Sequence, residues 1–128
     1  MKRILFASCL LMLCSIVFSQ APGVFNYQGV ARNSVGNVLQ NKNIALRLSI
    51  HDGNATGPVV YSETRTVVTN SLGLFNAQVG SPGASSTTGT IAGINWPSGN
   101  KFIQVEIDPE GGSSFINIGT SQLASVPF

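Results

Sequence analysis

Apolar and polar residues alternate at period two through much of this chain, and no window after residue 20 carries the period of a helix. The clearest run is Asn43 to His51, with Ile44, Leu46, Leu48 and Ile50 on one face and Ala45, Arg47, Ser49 and His51 on the other. Side chains that change face at every residue describe a half-buried strand, whereas a helix would scatter these apolar residues around its circumference. Val24 to Ala31 also reads as extended, with Phe25, Tyr27 and Gly29 opposite Asn26 and Gln28. The turn residues Ser34-Val35-Gly36-Asn37 between the two runs predict a hairpin that joins them.

Asp52-Gly53-Asn54 and Gly57-Pro58 bound the next connection. Val59 to Thr69 is rich in β-branched residues but uniformly apolar on neither face. Val59, Tyr61, Glu63, Arg65 and Val67 share one side, and Val60, Ser62, Thr64, Thr66 and Val68 the other. That mixture predicts a bulge or a change of sheet inside the run. Asn70-Ser71-Leu72-Gly73 turns the chain into Leu74 to Val79, and Gly80 to Thr90 reads as a Ser/Thr/Gly loop. Ile91 to Trp96 is short and irregular and is closed by Pro97-Ser98-Gly99-Asn100. Lys101 to Asp108 alternates again through Ile103, Val105 and Ile107. The turn Asp108-Pro109-Glu110-Gly111-Gly112 leads to Phe115 to Ile118, and a last extended piece covers Gln122 to Val126.

About seven strands with no internal repeat predict an all-β fold, an antiparallel β-sandwich of Ig-like or transthyretin-like kind. Its expected core is Ile44, Leu46, Leu48, Ile50, Phe75, Val79, Ile103, Val105 and Ile107. The final piece is expected to pair as an edge or near-edge strand, with Leu123 tucked inside. Pro127 should end the pairing and Phe128 should lie near the surface.

The first twenty residues fix where the chain is expected to go. Lys2 and Arg3 form a positive n-region, Ile4 to Phe18 an apolar h-region, and Val17-Phe18-Ser19 a cleavage site before Gln20. The chain thus divides into a signal peptide, 1–19, and a single β-sandwich domain, 20–128, secreted or held at the cell surface. Cys9 and Cys14 both lie in the leader. Neither has the flanks of a lipid anchor, since bulky Met12 and Leu13 precede Cys14 and only Ile4 to Phe6 stand as an apolar run before Cys9. The expected mature domain therefore has no disulfide, and its core must hold the fold alone. No later apolar run approaches the length of a membrane span.

Without Lys2 and Arg3, five basic residues (Arg32, Lys42, Arg47, Arg65, Lys101) face five acidic ones (Asp52, Glu63, Glu106, Asp108, Glu110). A neutral domain gives no support to a nucleic-acid or anionic-membrane partner. The acid–base inventory is too thin for an enzyme. A Ser-His-Asp triad would need His51, which reads as a solvated histidine at a strand end. Zinc would need three or four His, Cys or acidic ligands, which the domain does not bring together in sequence. Glu106 and Asp108 share a strand face at about 6.5–7 Å from the rise per residue, a separation usable in glycoside hydrolysis, but they read as a solvated pair. Asp52 with Asn54, or Asp108 with Glu110, offers too few oxygens for calcium and reads as turn chemistry. We therefore expect no catalytic, metal or cofactor site and no cofactor. Trp96, beside Pro97, is the one weak candidate for ligand binding, by stacking on a sugar; its plainer role is to plug one end of the core. Asn54-Ala55-Thr56 matches the N-glycosylation pattern and reads as coincidence.

Five short segments occur in a familiar order: Phe25-Asn26-Tyr27-Gln28-Gly29, Gly36-Asn37, Val60-Tyr61-Ser62-Glu63-Thr64, Gly73-Leu74-Phe75 and Ser121-Gln122-Leu123-Ala124-Ser125-Val126-Pro127-Phe128. Together they resemble the N-terminal β-sandwich module of secreted tail-fibre-like and collagen-like surface proteins of Gram-negative bacteria. In that family a pattern like Y-Q-G-x-A-R opens the domain, and one like S-V-P-Y-A closes it before a stalk, repeat or fibre region. Here Phe128 stands where the pattern has Tyr. The resemblance supplies no catalytic residues. It implies a non-catalytic secreted or cell-surface module, the head of a longer fibre- or adhesin-like protein, with a protein or cell-surface glycan as partner and a stalk or fibre region downstream. The other reading is a stand-alone secreted domain that binds carbohydrate or peptide through a loop such as Ser81 to Thr90 near Trp96.

Overall fold

Alternation of apolar and polar residues produces seven antiparallel strands in two sheets, seen in a computed structural model that describes residues 23–123. They are β1 (Phe25–Val30), β2 (Asn43–Asp52), β3 (Val59–Val68), β4 (Leu74–Val79), β5 (Ser86–Thr88), β6 (Lys101–Asp108) and β7 (Ile116–Gln122). One sheet has the order β5-β3-β2-β6-β7 and the other holds only β1 and β4. The expected signal peptide, its cleavage site and the piece from Ala124 to Phe128 lie outside the described residues.

The nine residues expected in the core are all at most 2% exposed. β2 is the centre of the large sheet, paired in register with β3 on one side and β6 on the other. Its inward residues Ile44, Leu46, Leu48 and Ile50 meet Phe75, Ala77 and Val79 of β4 in one cluster. Two strands are too narrow a lid for five. The irregular segment after β5 supplies the remaining cover, with Ile91, Ile94 and Trp96 all buried. Trp96 donates its Nε1–H to the Ile91 carbonyl at 3.1 Å and meets Phe25 edge to face at 6.4 Å.

The expected hairpin between the first two strands does not form. β1 pairs with β4 over six rungs, from Phe25↔Val79 to Val30↔Leu74. Its turn closes only the isolated bridge Arg32↔Val38, after which the chain crosses to the other sheet. The core explains the choice, because two strands with one apolar face each can bury both faces by lying opposite one another across the sandwich. Thr69, 2% exposed, anchors the crossing: its Oγ1 donates to the Leu39 carbonyl at 2.5 Å and accepts from the Lys42 N–H at 3.0 Å.

β3 stays in one sheet, and its bulge falls at its start, where the register shifts between Ile50 and His51 and leaves Val60 over. The mixed face noted in the sequence is resolved by burying an ion pair. Glu63 is 1% and Arg65 9% exposed, on the same inward face as Tyr61 and Val67. The segment expected as the loop Gly80 to Thr90 contains β5, a three-residue edge strand paired with Ser62 to Thr64. β7 begins one residue after Phe115 and runs to Gln122 as the opposite edge. Leu123 packs against the core and donates its N–H to the Lys101 carbonyl at 2.8 Å.

Two turns share one construction. In Asn33-Ser34-Val35-Gly36 and Asn70-Ser71-Leu72-Gly73 the Asn side-chain oxygen accepts from the N–H groups two and four residues on, at 2.8–3.1 Å. The glycine takes φ +90° in the first and +78° in the second. Gly36 has open space around it, but a Cβ on Gly73 would meet Val38 Cβ at 2.9 Å and the Ala31 carbonyl oxygen at 3.0 Å. Gly36→Ala should therefore cost about 1–2 kcal/mol, the ordinary left-handed penalty, and Gly73→Ala distinctly more. Paired denaturant titrations check this; equal losses would mean that the crossing segment yields freely at Gly73.

Candidate functional site

Each acidic side chain of the described domain is held by a basic partner or by backbone. Lys101, 1% exposed at the start of β6, places Nζ 2.9 Å from Asp52 Oδ1 and 2.5 Å from the Ser98 carbonyl oxygen. Glu63 accepts from Tyr61 Oη at 2.7 Å and from the Gly80 N–H at 2.6 Å, while its other oxygen takes the Arg65 Nε–H. Arg65 carries the network to Ser81, donating to its hydroxyl at 3.1 Å and its carbonyl at 3.0 Å. Burial first, and then the bond to Glu63, raise the Tyr61 phenol far above its ordinary value.

Glu106 and Asp108 are not the solvated pair the sequence suggested. Glu106 is taken by Arg47, its directly opposite neighbour on β2, through bonds of 2.5 and 3.0 Å, and Phe115 lies 4.3 Å from the guanidinium carbon. Asp108, 5% exposed, closes the turn to β7 by accepting from the Glu110 and Ser114 N–H groups, each at 3.0 Å. The Glu110 N–H, aided by those of Ser114 and Gly112 and by Lys42, holds this carboxyl below its ordinary value of 3.8. A depressed folded value stabilises above the ordinary pKa and is lost as pH falls through the folded one. We expect this turn to be indifferent to pH from 7 to about 4 and to loosen below that. Amide exchange at Ser114 checks it, and unchanged protection at pH 2.5 would refute it.

His51 is likewise not solvated. The connection after β2 folds back over it, leaving it 9% exposed with Nδ1 2.7 Å from the Gly57 carbonyl oxygen and Nε2 2.7 Å from the Gln104 carboxamide. Both ring nitrogens are committed, and no serine or carboxylate is among their partners. Asn54 Oδ1 binds Thr56 within its own turn, at 3.0 and 3.1 Å. Among the described residues no three His, Cys, Asp or Glu side chains gather as metal ligands. Trp96 is 2% exposed, so neither ring face lies open to a sugar.

The large apolar side chains that reach solvent sit mainly at one pole. Three connections meet there: residues 31–42, 69–73 and 109–115. The twin turns touch through Gly73, whose carbonyl accepts from the Ala31 N–H at 2.9 Å, while the Asn70 carbonyl accepts from Asn41 at 3.0 Å. They hold up Val35, 78% exposed, and Leu72, 64% exposed; Val68, Val30 and Ile116 are exposed at the adjoining strand ends. Asn-Ser-Val/Leu-Gly stands at both turns, and only the pairing of β1 with β4 brings the two together. Both ends of the described chain lie at the other pole: a Cβ on Gly80 would meet the Gly23 carbonyl, and Leu123 bonds to Lys101.

From the apolar pole a groove of about 680 Å³ runs between β1 and β7, with Val30, Leu39, Ile107, Ile116 and Ile118 among its lining and Arg32 at its rim. The outer face of the large sheet differs entirely. One row in register, Thr88–Ser62–Ser49–Gln104–Thr120, crosses all five strands without a charge or an apolar residue.

These features define an all-β protein, an antiparallel sandwich of two and five strands. The chain belongs to the family described as a domain of unknown function, DUF8740, whose model matches residues 26–122 and so runs from the second residue of β1 to the end of β7. No curated protein and no solved structure matches it.

Proposed function

We propose that the domain is a non-catalytic interaction and structural module of an exported surface protein, the head of a longer fibre- or adhesin-like chain. The observation that carries this reading is the division of the two poles. Gly23 and Leu123, the ends of the described chain, lie at one, and the other presents Val35, Val68, Leu72 and Ile116. Exposed apolar residues gathered in one place mark surfaces that meet partners.

Antibodies raised against the domain test the proposal in fractionated cells of the source organism. The expected antigen is exported, begins at Gln20 or Ala21 by N-terminal mass analysis, and belongs to a polypeptide that continues beyond Phe128. An antigen retained in the cytoplasm with Met1 in place would overturn it. The uncharged hydroxyl and amide row across the large sheet favours one second reading, a stand-alone domain that binds a neutral glycan. Retention on a cellulose or dextran column, lost in a Ser62→Lys variant, would select it.

A further inference from the structure

Among the described residues β1 is hydrogen-bonded only to β4, and β7 only to β6, so within them each leaves one edge of unpaired N–H and C=O groups. The two open edges flank the same groove, which continues past its apolar end as a second hollow of about 230 Å³ beside Tyr27, Gly29 and Thr120. Neither strand carries a charged residue or a proline, the usual guards of a free edge, and the opposite edge of the large sheet is blunted by the brevity of β5. An edge with backbone groups to satisfy and an apolar floor beside it suits an extended chain with apolar side chains at alternate positions.

Charge narrows the occupant. Lys42, Arg47, Arg65 and Lys101 each have a carboxylate partner. Among the described residues Arg32 alone has none. Its one bond is from Nη1 to the Gly36 carbonyl at 2.9 Å, which leaves most of an exposed guanidinium free beside Val30 and Ile116. A second copy of this domain would bring no spare acid to meet it. Glu110, also at the groove, is held by Lys42 at 3.1 Å.

We propose that the groove between β1 and β7 is a docking site for an extended segment of a partner protein in which alternating apolar side chains stand next to a carboxylate, the strand edge taking its backbone and Arg32 its acid. The idea rests on the interaction-module reading but fails separately from it, because export and chain length can stand while the groove stays empty.

The probe is acetyl-Val-Thr-Val-Asp-Val-Thr-amide titrated into the 15N-labelled domain, alongside the same peptide with Lys for Asp. The expected result is saturable shifts confined to β1, β7 and Arg32 with the Asp peptide. Affinity should be about tenfold or more weaker for the Lys peptide, and equally so for an Arg32→Gln domain, as expected for loss of a charged hydrogen bond. Arg32 is exposed, so that variant should fold, and an unchanged melting curve verifies it. Four outcomes would overturn the proposal: no shifts at millimolar peptide, equal affinity for both peptides, shifts mapping elsewhere, or groove shifts that depend on protein concentration alone and so report self-association.

Discussion

Replacing Glu63 by Ala should lower the stability of the domain by about 3–5 kcal/mol, the usual cost of removing one member of a buried ion pair. The carboxylate is fully buried, the Arg65 side chain is 10% exposed, and three donors converge on Glu63: Arg65 Nε, Tyr61 Oη and the Gly80 N–H. With an alanine there, a guanidinium, a phenol and a backbone N–H all lose their acceptor in a place that water barely reaches. For a domain of this size such a loss moves Tm by more than about 10 °C. Arg65→Ala combined with Glu63→Ala should cost clearly less than the sum of the two, since the second change removes a charge already stranded. A Glu63→Ala melt within about 2 °C of the parent would show that Ser81 and solvent satisfy Arg65 without it. The same network is sensitive to alkali. Because the folded Tyr61 pKa lies above its ordinary value, its contribution is complete below about pH 10 and is lost as pH rises further.

Leu48→Ala should cost about 2–5 kcal/mol, a range that covers the lost apolar transfer and the cavity left behind. Leu48 is 0% exposed at the middle of the central strand, opposite Glu63 of β3 and Val105 of β6. Strands on both sides fix its backbone, so the space cannot close by moving an edge, and the upper half of the range is expected. Val68→Ala, at a side chain 65% exposed, is the control and should stay within about 0.5 kcal/mol. Chemical denaturation of both variants checks the contrast. A near-neutral Leu48→Ala would mean that the faces of β2 are reversed.

β2 and β6 were legible in the sequence because each has one inward face made wholly of Ile, Leu or Val between its ends. Every second residue there carries the same instruction. β3 was not, because Glu63 and Arg65 occupy inward positions that look solvent-facing until Tyr61, Gly80 and Ser81 are seen to satisfy them. Glu106 and His51 misled for a related reason. Arg47 lies across one rung and Gln104 in the neighbouring strand, and neither is adjacent in sequence. The apolar pole was half legible: Val35 and Leu72 sit in turns whose Asn and Gly are plain in the chain. That the turns stand side by side follows from the pairing of β1 with β4, residues more than forty positions apart.

By itself, then, the sequence determined most of the strands, the inward faces of β2 and β6 and the positions of most turns, since each depends on residues one or two apart whose burial preference is local. Tertiary structure alone decided which strands pair and which sheet each joins. It also decided where the ionic groups find partners, and that β1 and β7 leave a groove beside Arg32. Those outcomes minimise exposed apolar area and unpaired polar groups over the whole domain, a condition that no local window of residues contains.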